Sequence, residues 1–199
     1  MRILVVGASG TIGRAVVAEL GARHDIVAAG RSSDELPMDI TDPASIRAAY
    51  ARLGKVDAVV SAAGKVKFAP FAEMDATAYE IGLRDKLMGQ VNLVLIGRDH
   101  VTDGGSFTLT TGVLDSAPIR MGSSASMVNG AVNAFAMAAA IEMPRGQRIN
   151  VVSPGVITEA MKDYAPFFRG FEPVPAARAA LAYARSVEGA QTGQVYRVA

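Results

Sequence analysis

Arg2-Ile3-Leu4-Val5-Val6-Gly7-Ala8-Ser9-Gly10-Thr11-Ile12-Gly13 follows the first methionine of this 199-residue chain. A short apolar run of strand type ends at Val6, glycines stand at 7, 10 and 13, and a helical pattern covers Thr11–Leu20. Glycines three apart let a backbone turn tightly and come close to a charged group. The N–H groups of a helix that opens there face the turn and favour an anion. A glycine run alone marks only a turn; the order strand, glycine turn, helix gives it meaning. Gly7, Ser9, Gly10, Thr11, Ile12 and Gly13 are therefore expected to cradle the pyrophosphate of a dinucleotide.

The rest of the chain repeats the alternation. Strand candidates are Ile3–Val6, Ile26–Ala29, Ala58–Ser61, Ser106–Thr110, Arg148–Val152 and Val195–Val198. Helical spacing of apolar residues covers Thr11–Leu20, Pro43–Leu53, Ala76–Gly97 and Ser124–Met143, with Leu83, Leu87, Val91 and Val94 sharing one face of the third. This predicts an α/β fold: a single Rossmann-type doubly wound parallel sheet of six to seven strands, order 3-2-1-4-5-6-7. Between Gly30 and Pro37 there are too few residues for a crossover helix, which takes about 10–12. The helix after the second strand is expected to be missing, and a third strand near Pro37–Ile40 to be a stub.

Bulk properties narrow the function. Half the residues are hydrophobic and the net charge is +1, so charge makes no case for nucleic acid or an anionic membrane. Cysteine is absent, which excludes disulfides, thiolate metal sites and a cysteine nucleophile. The two histidines, His24 and His100, are far apart in expected surface turns, so no metal site is predicted. No apolar run is read as long enough for a membrane span, and residues 1–6 read as a core strand, not a signal peptide. A single cytoplasmic domain over 1–199 is the expectation.

Five segments in order resemble the short-chain dehydrogenase/reductase family over essentially the whole chain. Gly7-x-x-Gly10-x-x-Gly13 resembles its cofactor loop, and Asp39-Ile40-Thr41-Asp42 the acidic motif beside adenine. Ser61-Ala62-Ala63-Gly64 stands where the family has Asn-Asn-Ala-Gly. Arg148 to Ile157, with Ser153-Pro154-Gly155-Val156-Ile157 at its end, resembles the segment that meets the nicotinamide carboxamide. Thr192-Gly193-Gln194-Val195-Tyr196 resembles the last strand. The resemblance implies cofactor contacts from Asp39, Ile40, Ser61, Ala62, Ala63, Gly64, Pro154, Gly155, Val156 and Ile157. It also implies a homodimer or homotetramer built on helices Ala76–Gly97 and Ser124–Met143.

The family's proton chemistry uses a Tyr and a Lys four residues apart on one helix, with a Ser and an Asn nearby. Matching the Ala131-Val132-Asn133-Ala134-Phe135 tail puts Ala125 at the Tyr and Asn129 at the Lys. Thr111 takes the place of the Ser and Lys86 that of the Asn. The tyrosines are Tyr50, Tyr79, Tyr164, Tyr183 and Tyr196, so no shift of alignment restores one between Thr111 and Met143. Thr111, Lys86 and Asn129 are the remaining catalytic candidates. Lys86 is read either as a cation on the site floor, with Tyr79, Leu83 and Gln90, or as a surface partner of Asp85 or Glu80. Asn129 can orient a cofactor but cannot titrate. Tyr164, Lys162 and Glu159 lie in an expected substrate loop at about 156–175, where Tyr164, Phe167 and Phe168 equally suit packing. Lys65 and Lys67 suit an acidic substrate or a solvated loop.

Arg31 and Ser32 follow the second strand, where an NAD-selective site carries a carboxylate for the ribose. A guanidinium with hydroxyls matches a 2′-phosphate instead, and Arg14 adds charge nearby. NADP(H) is the expected cofactor, with a small molecule as substrate. Two functions stay open: an NADP(H)-dependent oxidoreductase with a non-standard site, and a catalytically inactive NADP(H)-binding sensor or regulatory module.

Overall fold

The computed structural model describes residues 1–199. Its strands are β1 (Arg2–Val6), β2 (Asp25–Gly30), β3 (Leu36–Pro37), β4 (Val56–Ser61), β5 (Val101–Thr110), β6 (Arg148–Pro154) and β7 (Val195–Val198). They form one sheet in the order β3-β2-β1-β4-β5-β6-β7, and each neighbouring pair is parallel. The expected doubly wound topology is observed, with seven strands.

Side chains alternate across a strand, so each central strand supplies two cores. Leu4 and Val6 of β1, with Val59, Phe107, Leu109, Ile149 and Val151, face one layer. That layer consists of α2 (Pro43–Leu53), α4 (Gly89–Gly97) and α5 (Ser123–Glu142), which bury Tyr50, Leu93, Val132 and Ala136 there. Ile3 and Val5, with Ala58, Val60 and Val152, face α1 (Thr11–Gly21) and α7 (Ala176–Glu188). α7 is not among the helices expected from apolar spacing. Its buried Ala179, Ala180, Tyr183, Ala184 and Val187 nevertheless keep helical spacing.

No helix links β2 to β3. Residue pairs Ala29–Leu36 and Gly30–Pro37 are the whole of the β2–β3 ladder, so the third strand is the expected stub, slightly earlier than placed. The turn supplies partners for the unpaired edge of β2. Glu35 accepts the Ala28 N–H at 2.9 Å, and Ser33 Oγ donates to the Ala28 carbonyl at 2.9 Å. A carboxylate and a hydroxyl thus occupy positions where another strand would bind.

Two expectations about helices need correction. Ala76–Gly97 is not continuous: α3 (Ala76–Gly82) leads into a π turn at Leu83–Met88 before α4. The Gly89 N–H reaches back to Arg84 and Asp85, which is one extra residue in the winding. The predicted stripe therefore breaks. Val91 and Val94 are buried, while Leu83 and Leu87 are only half-buried. The second correction concerns membranes: α5 is long and apolar enough to cross one by length and composition. Here it packs on the sheet through Val128, Val132 and Ala136. The histidines also have partners: His24 Nε2 lies 2.9 Å from Glu188, and His100 stacks on Tyr50.

Candidate active site

Two adjoining cavities open at the C-terminal ends of the strands, where ligands of doubly wound sheets bind. The first, of about 330 Å³, is lined by Gly7, Ser9 and Gly10 of the β1–α1 turn, and by Gly30, Arg31 and Ser32 after β2. Val6, Met38, Asp39, Ile40, Ala62 to Lys65 and Asp85 complete it. Backbone proximity shapes the glycine turn. Gly7 has φ +82°, and a Cβ on it would lie 2.8 Å from the Ala62 carbonyl oxygen. A Cβ on Gly13 would lie 2.0 Å from the Gly7 oxygen. No side chain caps α1, and its first turn holds no acidic residue. Its leading N–H groups therefore suit an anion, and the turn fits a dinucleotide pyrophosphate.

The other expected cofactor residues divide. Arg31 and Ser32 are exposed at the rim of the first cavity. Thr41 donates to Asp39 twice, from its backbone N–H at 2.9 Å and its hydroxyl at 2.8 Å. Those bonds, aided by the Arg31 charge, hold the Asp39 carboxyl below the usual range. Ile12 packs inward, and Thr11 lines a separate groove with Arg14 and Glu159. Ser61 lies within the sheet, its carbonyl accepting the Thr110 hydroxyl, and lines neither cavity. Pro154, Gly155, Val156 and Ile157 line the second cavity instead.

That second cavity, of about 420 Å³, is bounded by Gly64, Lys65, Lys86, Thr111 to Leu114, Ala125, Asn129, Tyr164 and Phe168, among others. Ten of its 18 lining residues are hydrophobic. Gly64 and Lys65 line both cavities and so join them. Gly64, at φ +139°, sits against the Lys86 stem, where a Cβ would come 2.8 Å from Lys86 Cγ.

Lys86 faces the cavity, not solvent carboxylates. Among its expected surface partners, Asp85 accepts the Lys65 backbone N–H at 2.9 Å, and no ion pair reaches Lys86. Its Nζ donates to the Thr111 carbonyl at a long 3.4 Å. Burial lowers its pKa from 10.5 to about 8. Gln90, fully buried, anchors this segment to β5. Its carboxamide accepts the Thr110 N–H at 2.8 Å and donates to the Thr110 carbonyl at 2.9 Å and the Lys86 carbonyl at 3.1 Å. A buried glutamine amid Val91, Leu93 and Val94 was the available signal in the sequence.

Ala125 and Asn129 lie one helical turn apart on the buried side of α5, and both line the cavity. Asn129 Nδ2 donates to the Gly112 carbonyl at 3.2 Å, while its Oδ1 is buried without a partner. Thr111 also lines the cavity, but its hydroxyl donates to Asn133 Oδ1 at 3.1 Å. Asn133 in turn donates to Asp115 at 2.6 Å. Burial alone would raise the Asp115 pKa; hydrogen bonds from Arg197, Ser116 and Asn133 outweigh it and hold the carboxyl below its usual range. Sequence reasoning did not find Asp115, because its partners come from α5, β6 and β7.

The loop after β6 closes on itself. Val174 donates to Val156 at 2.8 Å and Thr158 donates to Val174 at 2.9 Å. Tyr164 meets Phe68 and Phe168 edge-on, both at 6.2 Å between centroids. Glu159, a candidate proton donor by position, accepts the Ala176 N–H at 3.1 Å and so caps α7. Lys162 lines the neighbouring groove with Thr11 and Arg14.

A family model described as enoyl-(acyl carrier protein) reductase matches residues 9–196. The chain belongs to the short-chain dehydrogenase/reductase family. Within it, this member is 29% identical over 140 residues to an uncharacterized oxidoreductase of Methylorubrum extorquens. That match covers 67% of this chain and 56% of the relative, so the chain spans little more than half of the relative's length. Among solved structures, the protein lin1944 from Listeria innocua is 52% identical over the whole of both chains, with a TM-score of 0.99. A small-chain dehydrogenase in complex with NADPH shares the fold at a TM-score of 0.88 and 23% identity, covering 100% of this chain and 96% of that one. A short-chain type dehydrogenase/reductase from Mycobacterium ulcerans does so at 0.84 and 22%, covering 99% and 87%.

Proposed function

We propose that this short-chain dehydrogenase/reductase is an NADP(H)-dependent oxidoreductase of a small molecule, working without the family's Tyr-x-x-x-Lys pair. One observation carries it: the glycine-turn cavity meets an apolar cavity at Gly64, and the second cavity is lined by the half-buried Lys86. A nicotinamide cofactor would supply hydride there. The chain's part is then to hold the two phosphate ends, orient the substrate and manage a proton or a negative charge at the reacting oxygen. Ala125 brings no acid, and Thr111 spends its hydroxyl on Asn133. Lys86 is left with unspent N–H donors facing the cavity, and Asn129 is the hydrogen-bonding group beside it.

Parallel calorimetric titrations with NADPH, NADP⁺ and NADH test the cofactor assignment, and absence of binding by all three rejects it. Arg31→Ala is expected to weaken NADPH binding about 10–100-fold and leave NADH unchanged, as loss of a charge-assisted phosphate contact requires. Equal loss for both cofactors would remove Arg31 from the assignment.

The absence of an acid at Ala125 also favours a second reading, an NADP(H) sensor without turnover. Tight binding of one redox form, with no oxidation or reduction of any carbonyl, alcohol or activated double bond, would select it.

We also propose that the chain works as a homo-oligomer through α4 and α5. Met88, at the end of the π turn, and Leu95 of α4 are exposed, as are Met127, Met137 and Ile141 along α5. Apolar stripes on adjacent helices mark an association surface. Ile141→Glu combined with Met137→Glu should convert the oligomer to monomer in light scattering. An unchanged mass would move the interface elsewhere.

A further inference from the structure

The second cavity has an unusual charge balance. Lys65 and Lys86 line it, and no carboxylate does. The nearby acids are committed: Asp85 to the Lys65 backbone, Asp115 to Arg197, Ser116, Asn133 and Ser153. Lys86 is half-buried, and an ammonium partly withdrawn from water without a counter-ion carries a cost that a ligand of opposite charge offsets. Of the three N–H donors on Lys86, one makes the long contact with the Thr111 carbonyl and two are free. Asn129 Nδ2 holds the next carbonyl along, that of Gly112, so the two polar heads flank consecutive backbone oxygens. Asn129 Oδ1 is a buried acceptor that lacks a donor. Beyond them the wall is apolar, with Leu114, Val156 and Phe168.

A matching ligand presents a carboxylate to Lys86, an oxygen within reach of the same ammonium, a hydroxyl hydrogen for Asn129 Oδ1, and a hydrocarbon tail. We propose that this cavity binds small apolar 2-hydroxy and 2-oxo monocarboxylic acids, the carboxylate and 2-oxygen sharing Lys86 and the hydroxyl meeting Asn129. Pairing these two oxidation states rests on the oxidoreductase reading; recognition of the acid group rests on the cavity alone. Lys65 at the mouth adds attraction for an entering anion.

The test is titration calorimetry with 2-hydroxy-4-methylpentanoate, its uncharged amide, and 4-methylpentanoate, which lacks the 2-oxygen. The hydroxy acid is expected to bind about tenfold or more tightly than either comparator, the scale of one charge-assisted hydrogen bond. Lys86→Met should abolish the preference for acid over amide. Asn129→Ala should reduce the preference for the hydroxy acid over 4-methylpentanoate. Equal binding of acid and amide, retention of acid preference in Lys86→Met, or no binding of the hydroxy acid at millimolar concentration overturns the proposal. An NADPH titration in the same buffer separates the two claims. Acid preference without NADPH binding rejects the oxidoreductase reading and supports the acid site; NADPH binding without acid preference rejects the acid site alone.

Discussion

Gly13→Ala is expected to abolish NADPH binding and to destabilise the fold by about 3 kcal/mol or more, since overpacking without room to relax costs at least this order. The added methyl would start 2.0 Å from the Gly7 carbonyl oxygen and 2.9 Å from Ala8 Cα, both backbone atoms. A side chain can swing aside, but this turn cannot. Gly7 already holds φ +82°, and its N–H donates to Ala29 across the sheet at 2.8 Å. Relief therefore requires that α1 move away from β1. Such a move strips Val16 and Leu20 from the core they share with Ile3 and Val5, and also opens the anion cradle. For a chain of this length the loss amounts to roughly 6–12 °C in Tm. Thermal unfolding and a cofactor titration on the same sample check both parts. A variant that melts near wild type and binds NADPH would show that the turn can shift, contrary to the packing described above.

Lys86→Met has the opposite pairing of effects. Turnover of the NADPH-dependent reaction should fall about 10²–10⁴-fold, the usual contribution of a positioned proton-transfer group. Stability should rise. In the folded chain Lys86 titrates near 8 against 10.5 in the open, because burial penalises its charge. Below pH 8 both states hold the proton, and the folded state carries the full charging cost. Between pH 8 and 10.5 the unfolded state binds a proton that the folded state has released, so the cost fades as pH rises. The variant should therefore gain about 1–2 kcal/mol at pH 7, with the half-buried position moderating the amount, and much less near pH 10. In the parent protein, reduction should decline as pH passes about 8, and the variant should lack that limb. Lys65 and Tyr164 line the same cavity and Asp85 adjoins it, so Lys65→Met is the control whose profile should keep the limb. An unchanged rate in Lys86→Met would assign the proton to Tyr164 or water. Lost activity with improved stability is the pattern of a site maintained at the expense of the core.

Much of the fold was legible because its determinants are local. Each β-branched run in the central sheet is buried on both faces, so hydrophobicity alone marks it. The missing crossover followed from chain length between Gly30 and Pro37. The π turn did not, since one extra residue in a winding leaves no mark in composition. The stripe from Leu83 to Val94 consequently looked regular. The residues of α7 carry helical spacing but sit among prolines and alanines that blur the signal. In the site, the glycine turn was readable for a steric reason that any residue but glycine violates. The side-chain roles were less so. Lys86 was balanced between cavity and surface because its neighbours Asp85 and Glu80 offered ion pairs on paper. Thr111 and Glu159 looked available for chemistry until Asn133 and the Ala176 N–H, distant in sequence, took their hydrogen bonds.

The π turn at Leu83–Met88 also frees one half of its helix from the other. An α-helix fixes the angular phase of every residue from its first turn, so a constraint at one end dictates what the far end presents. An inserted residue resets that phase. Gly82, against Ser124 and Val128, can keep the angle that contact with α5 demands, while Leu93 and Gly97 keep the angle set by β5 and Tyr50. Lys86 sits at the joint between these two frames. Drift in the packing of either half is absorbed by the turn instead of rotating the lysine, so the cavity floor can change residue by residue without the whole helix being recut.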